Sequence, residues 1–170
     1  PLIIRWPAGI AEPGRTISAF VTWNDLAPTI CELAGARPME GAHGRSIVPL
    51  LTSTSVPEDW PTEVFMQFTG TEYYYTQRII FDGRYKYVFN AFDFDELYDL
   101  REDPGELVNL AHDPCYADEI ERLCGLMWRW AKLAEDPLYT PYPTVALTPI
   151  GPGEAGVQFS HQRWWKYDEV

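Results

Sequence analysis

Three side chains in this sequence have both the chemistry and the setting to meet an anionic ligand: His43, Tyr74 and Arg78. His43 lies in Gly41-Ala42-His43-Gly44-Arg45-Ser46, where the flanking glycines leave its imidazole open to approach. A lone histidine is just as much a surface or packing residue, and no HxH or HExxH pairing joins His43 to His112 or His161. Gly44-Arg45-Ser46 lacks the spacing and the lysine of a phosphate loop. If Tyr73-Tyr74-Tyr75-Thr76-Gln77-Arg78 is a strand, Tyr74, Thr76 and Arg78 share one face and set a guanidinium beside two hydroxyls. Such a group suits an oxyanion. The other reading is that Arg78 pairs with the acidic stretch downstream, and the sequence leaves both open.

Carboxylates are plentiful but poorly arranged for a metal. Asp93-Phe94-Asp95 begins like a calcium loop, yet Tyr98 stands at the sixth position, where that loop needs glycine for its sharp turn. Asp99, Asp103 and Glu106 have strand-and-turn spacing, so Asp99 and Asp103 are expected to accept hydrogen bonds from turn amides. Cys31, Cys115 and Cys124 form no CxxC pair and no zinc spacing. Their odd number gives no disulfide framework, which leans the chain toward the cytoplasm without deciding its compartment.

At 170 residues with 46% hydrophobic and 15% aromatic content, the chain can bury a core. A net charge of −12 argues against nonspecific nucleic-acid binding. Residues 93–121 hold eleven Asp or Glu against one Arg, so most of that charge sits in one segment. It reads as a solvated acidic face or as a charge-specified partner surface. No apolar run approaches the roughly 18 residues that a membrane span needs. The opening Pro1-Leu2-Ile3-Ile4-Arg5-Trp6-Pro7 has neither Met nor polar lead-in, and its apolar strand begins without a partner, so a piece of a longer protein is expected.

The elements that must position these groups follow from periodicity. Leu2–Arg5 is strand-like. Asn24 or Asp25 is expected to cap a helix running to about Ala34, with Leu26, Ile30 and Leu33 as its apolar stripe and Gly35 as its stop. Residues 35–62 are loop-rich, with an apolar stretch at Ile47–Leu51. The period then changes: Val64–Phe68, Gln77–Phe81, Arg84–Asn90 and Glu96–Leu100 read as four strands in an antiparallel meander, with Asp82-Gly83 as a two-residue hairpin turn. Asp113 caps a helix with Pro114 in first position, and Tyr116, Ile120, Leu123, Met127 and Trp130 form the stripe that covers the meander. Five prolines from Pro137 to Pro152 keep the next segment extended, and Phe159, Trp164, Trp165 and Tyr167 close the chain. That arm is expected to dock on its own domain, on another subunit as a homo-oligomer contact, or at the mouth of an active site.

Several of these segments, in this order, resemble the sulfatases of the alkaline-phosphatase superfamily. Pro1-Leu2-Ile3-Ile4-Arg5-Trp6-Pro7 is similar to that family's P-x-I-x-R-W-P strand, and Asp25-Leu26-Ala27-Pro28-Thr29 through Leu33-Ala34-Gly35 to its D-L-x-P-T helix. Gly44-Arg45-Ser46 with Pro49-Leu50-Leu51, Arg84-Tyr85-Lys86-Tyr87, and the run from Glu96 to Ala111 resemble three further signatures. The likeness covers roughly residues 1–135. It implies an α+β arrangement: residues 1–55 as the tail end of an α/β catalytic domain, 56–136 as a small antiparallel sheet with a packing helix, and 137–170 as an arm outside the common pattern. It also implies a sulfuric-ester hydrolase as parent, acting on a sulfated small molecule or glycan with calcium or magnesium and a formylglycine. No Cys or Ser here starts the C/S-x-P-x-R motif from which formylglycine matures, so no catalytic residue, metal ligand or cofactor is expected within this chain, and the chain alone is expected to be inactive. A phosphonate monoester or phosphodiester hydrolase of the same superfamily is the nearest alternative. A glycan- or protein-binding module is the alternative from another class.

Overall fold

A computed structural model describes residues 2–70, 76–90 and 93–139. The chain divides into two compact units, Pro1–Thr62 and Glu63–Val170.

In the first unit, Leu2–Trp6 forms no strand. The correction has a simple cause: among the described residues no segment offers it a ladder of backbone partners, and Ile3 stays exposed. A 3-10 turn over Trp23–Asp25 leads into helix α1 (Leu26–Leu33), and Val48–Thr52 forms the short helix α2. Asp25 stands at the start of α1 but makes no side-chain cap bond to it, and its carboxylate reaches back to Thr22 instead. Its Oδ2 accepts from Thr22 N at 2.6 Å and from Thr22 Oγ1 at 3.1 Å. Of the apolar stripe, Leu26 is half-buried while Ile30, 66% exposed, and Leu33 face outward. Thr29 is the buried residue of α1: its hydroxyl donates to the Asp25 carbonyl at 2.5 Å and accepts from Ile47 N at 3.0 Å. The core of this unit is Ile47, Leu50, Leu51 and Trp60, with Trp6, Ile10 and Ile17 packed against it.

The second unit is the expected α+β meander. Strands β1 (Val64–Thr69), β2 (Thr76–Phe81), β3 (Tyr85–Asn90) and β4 (Glu96–Asp99) pair antiparallel in chain order. The register Phe65↔Ile80↔Tyr87↔Leu97 places these four residues on one face. Helix α3 (Ala117–Leu133) lays Ile120, Leu123, Cys124, Met127 and Trp128 against that face, and the Phe89 and Trp128 rings lie 5.7 Å apart. Asp113 accepts from Cys115 N at 2.9 Å, but the helix opens as a 3-10 turn over Pro114–Tyr116 before becoming α-helical. The β2–β3 turn sits one residue later than its Asp82-Gly83 signal. Phe81 pairs with Lys86, so Gly83 and Arg84 are the central residues, with Gly83 at φ 91°. A glycine first in the turn matches the right-handed twist of the strands. Asp82 supplies the rest, accepting from Arg84 N at 2.9 Å and Tyr85 N at 2.8 Å.

Candidate functional site

Each predicted site residue has a distinct fate. His43 is exposed on its glycine-flanked turn. That turn is held from behind, because Arg45 N donates to Asp25 Oδ1 at 2.9 Å. A Cβ on Gly44 would stand 2.1 Å from the Asn24 carbonyl oxygen, so only glycine allows the two backbones to approach. Arg45 turns away from His43: its Nη2 donates to Asp59 Oδ2 at 2.7 Å, and its guanidinium stacks 4.6 Å over the Trp60 ring.

Arg78 is 2% exposed and fully engaged. Its Nη2 donates to Asp136 Oδ1 at 2.9 Å, its Nε to Asp136 Oδ2, and its Nη1 to the carbonyls of Gln77 at 2.7 Å and Phe68 at 3.2 Å. The reading in which Arg78 pairs with a carboxylate is the one this geometry follows, but the partner lies beyond α3 rather than in the acidic stretch. Asp136 also accepts from Gln67 Nε2 at 2.6 Å and Leu138 N at 2.8 Å. Burial pushes its carboxyl up, but these donors outweigh it and hold the group below its ordinary value. Tyr74 lies outside the described residues. His43 and Arg78 belong to different units, so neither unit by itself gathers the predicted site residues.

The acidic segment is solvated in part, with Asp93, Glu102, Glu106, Asp113, Asp118 and Glu121 exposed, and structural in part. Asp99 is buried and accepts from Arg84 Nη2 at 2.6 Å and Arg101 N at 3.1 Å. Asp103 Oδ2 accepts from Leu107 N at 2.7 Å and Val108 N at 2.9 Å. Glu106 pairs with Lys86, and Glu119 with Arg122. Asn109 joins this turn to β4, accepting from Leu97 N at 3.0 Å and donating to the Asp95 carbonyl at 3.0 Å. These are the turn-amide acceptors that the spacing of Asp99 and Asp103 predicts. The sequence does not single out Asn109 and Asp136, whose bonds to Leu97 N and Arg78 depend on tertiary approach as well as on the local amides of Ala111 and Leu138.

Among the described residues no three His, Cys, Asp or Glu side chains gather as a metal-binding group. Cys124 is buried, and Cys115 is exposed with its thiol held above its ordinary value by the hydrogen bond and charge of Asp113. That is the opposite of an activated thiolate. No helix among the described residues is long and apolar enough to cross a membrane.

Comparison with known proteins gives a consistent result. Residues 1–132 match the family described as N-sulphoglucosamine sulphohydrolase, C-terminal. The chain is 30% identical over 168 residues to the ulvan-active sulfatase of Formosa agariphila, covering 80% of this chain and 33% of that protein. It superposes with a TM-score of 0.73 and 28% identity on a protein solved in complex with its substrate D-glucosamine-2-N,6-O-disulfate, over 81% of this chain and 29% of that one. The phosphonate monoester hydrolase of Agrobacterium radiobacter gives a TM-score of 0.58 at 29% identity, over 72% and 26%. The chain thus spans about a third or less of the length of these relatives.

Proposed function

This chain belongs to the N-sulphoglucosamine sulphohydrolase C-terminal family of sulfatases, and we propose that it is the scaffold-forming carboxyl-terminal part of a sulfuric-ester hydrolase. The observation that carries this reading is the turn after β4. The run from Glu96 to Ala111 spends Asp99, Asp103 and Asn109 on backbone amides and Arg84, and leaves no carboxylate pair aimed at a common ligand. Residues of that kind hold a strand, a loop and a helix in register.

In this reading the nucleophile and the metal ligands come from the remainder of a longer protein. Formylglycine would supply the attacking oxygen there, and calcium or magnesium would stabilise the sulfate oxyanions. The substrate class is a sulfate ester on a small molecule or glycan. Support comes from the relatives, one named for ulvan and another solved with a sulfated glucosamine. His43, exposed on a turn that Gly44 and Asp25 fix, is the residue of this chain proposed for the rim of the substrate pocket. A homo-oligomer contact through residues 137–170 is part of the same proposal, carried by the sequence alone, since a Trp164-Trp165 pair would be costly to leave uncovered.

A phosphonate monoester or phosphodiester hydrolase is the second reading, favoured by the likeness to the Agrobacterium enzyme. The test is the intact protein that carries this chain, assayed side by side on a 6-O-sulfated glucosamine, an aryl sulfate and an aryl phosphonate monoester. Faster turnover of a sulfate ester supports the first reading, and a phosphonate preference transfers it to the second. Loss of all turnover would leave a glycan- or protein-binding role. Turnover by the isolated chain would overturn the scaffold assignment.

A further inference from the structure

The loop that carries His43 meets the approach to α1 at a place where three side chains are left open. Trp23 is 88% exposed, and Asn24 and His43 are exposed beside it. They come from two segments distant in sequence. A Cβ on Gly44 would stand 2.1 Å from the Asn24 carbonyl oxygen and 2.7 Å from Asp25 N. The backbone that follows His43 therefore lies directly on the backbone that follows Trp23.

This apposition is anchored from several sides. Asp25 Oδ2 accepts from Thr22 N at 2.6 Å and from Thr22 Oγ1 at 3.1 Å, and its Oδ1 accepts from Arg45 N at 2.9 Å. Its carbonyl accepts from Thr29 Oγ1, which in turn accepts from Ile47 N at 3.0 Å and so ties both segments to the core of the unit. Trp23 sits between Thr22 and Asp25, two of the anchored residues, so its backbone has little room to carry the indole inward. Arg45 is engaged elsewhere, on Asp59 and over the Trp60 ring. Neither the Asn24 amide nor the His43 ring is hydrogen-bonded to another of the described residues.

An indole, a carboxamide and an imidazole together suit a sugar ring. The indole offers a broad, rigid apolar face with a negative π surface, against which the C–H face of a pyranose can stack. The carboxamide and the imidazole supply donors and acceptors for the hydroxyls around the ring's edge. We propose that Trp23, with Asn24 and His43, forms a sugar-binding platform on which the indole stacks the pyranose of a sulfated glycan, making Trp23 a specificity-determining residue for sugar esters over simple alkyl esters. The ligand class rests on the sulfuric-ester hydrolase reading, to which the platform adds recognition of the carbohydrate rather than of the ester.

The intact protein that carries this chain tests the platform by binding and by turnover. Calorimetric titration with a 6-O-sulfated glucosamine should give binding about tenfold weaker in Trp23→Ala than in the unmodified protein, with Trp23→Phe between the two. The kcat/KM of Trp23→Ala should fall about tenfold further on that sugar ester than on hexyl sulfate. Its thermal midpoint should stay within about 2 °C of the parent, because an exposed indole supports no packing. Equal losses on the two esters, sugar binding unmoved by the substitution, or no sugar binding by the unmodified protein would each overturn the platform. A midpoint lowered by several degrees would overturn it as well, since the indole would then be covered by protein. If neither ester is turned over while the sugar still binds through Trp23, the hydrolase reading fails and the platform stands.

Discussion

Arg78 of β2 and Asp136 of the segment after α3 form a closed ion pair, with Nη2 2.9 Å from Oδ1 and Nε bonded to the other carboxylate oxygen. The carboxylate is completed by Gln67 and the Leu138 amide, and the guanidinium by two carbonyls. A bidentate pair of this kind is geometrically specific, and removing one partner strands a buried charge. It fastens the segment after α3 to β1 and β2, and it engages all three guanidinium nitrogens.

Arg78→Ala should accordingly destabilise the protein by about 3–5 kcal/mol in denaturant unfolding, with turnover per folded molecule unchanged. Replacing both partners by apolar residues, as in Arg78→Met with Asp136→Leu, should cost less than the single change. The opposite pattern, full stability with lost turnover in Arg78→Ala, would make Arg78 a substrate-binding group.

The same pair sets an acid limit. Asp136 has its folded pKa depressed, so its contribution is present above the unfolded value near ~3.9 and is lost as pH falls through the folded value. Unfolding midpoints should therefore drop below about pH 4, and the drop should be shallower in Asp136→Asn. Burial pushes the Asp95 carboxyl up to about 6, so its contribution works in the reverse direction and at higher pH. A single pH series from about 3 to 8 should show stability rising and then falling. A monotonic curve would contradict one of the two assignments.

Much of the second unit was legible because its signals are local and repeat. Alternating apolar residues from Val64 to Leu97 define four strands, and the 3–4 spacing of Ile120, Leu123 and Met127 defines the helix that covers them. The first unit was less legible, since Ile30 and Leu33 have helical spacing yet lie exposed while Thr29 is buried. Periodicity reports which residues share a face, and not which face is covered. The site residues follow the same divide. Asp99 and Asp103 act within their own turn, whereas Arg78 finds its partner 58 residues away. In the loop after β4 the left-handed residue is Glu106, at φ 54°.

Gly44 gives a sharper test of the first unit. Its φ is not left-handed, so the demand is for space: an added Cβ would meet the Asn24 carbonyl carbon at 2.2 Å and Asp25 N at 2.7 Å. Gly44→Ala must push the two segments apart and break the bond from Arg45 N to Asp25. A loss of at least about 2 kcal/mol is expected, since backbone atoms cannot yield as a flexible side chain can. A variant as stable as the parent would show that this close approach is absent in solution.

Asp103 separates the turn reading from a metal reading of the same carboxylates. Its Oδ2 satisfies the amides of Leu107 and Val108, so Asp103→Ala should cost about 1–2 kcal/mol, as loss of a capping acceptor does. Asp103→Asn keeps an oxygen acceptor and should recover a large part of that loss. Metal content and metal-dependent stabilisation of the intact protein should be identical in all three forms. If the alanine variant instead lost a bound calcium, with the asparagine variant intermediate, the carboxylates from Asp99 to Glu106 would have to be reassigned as ligands.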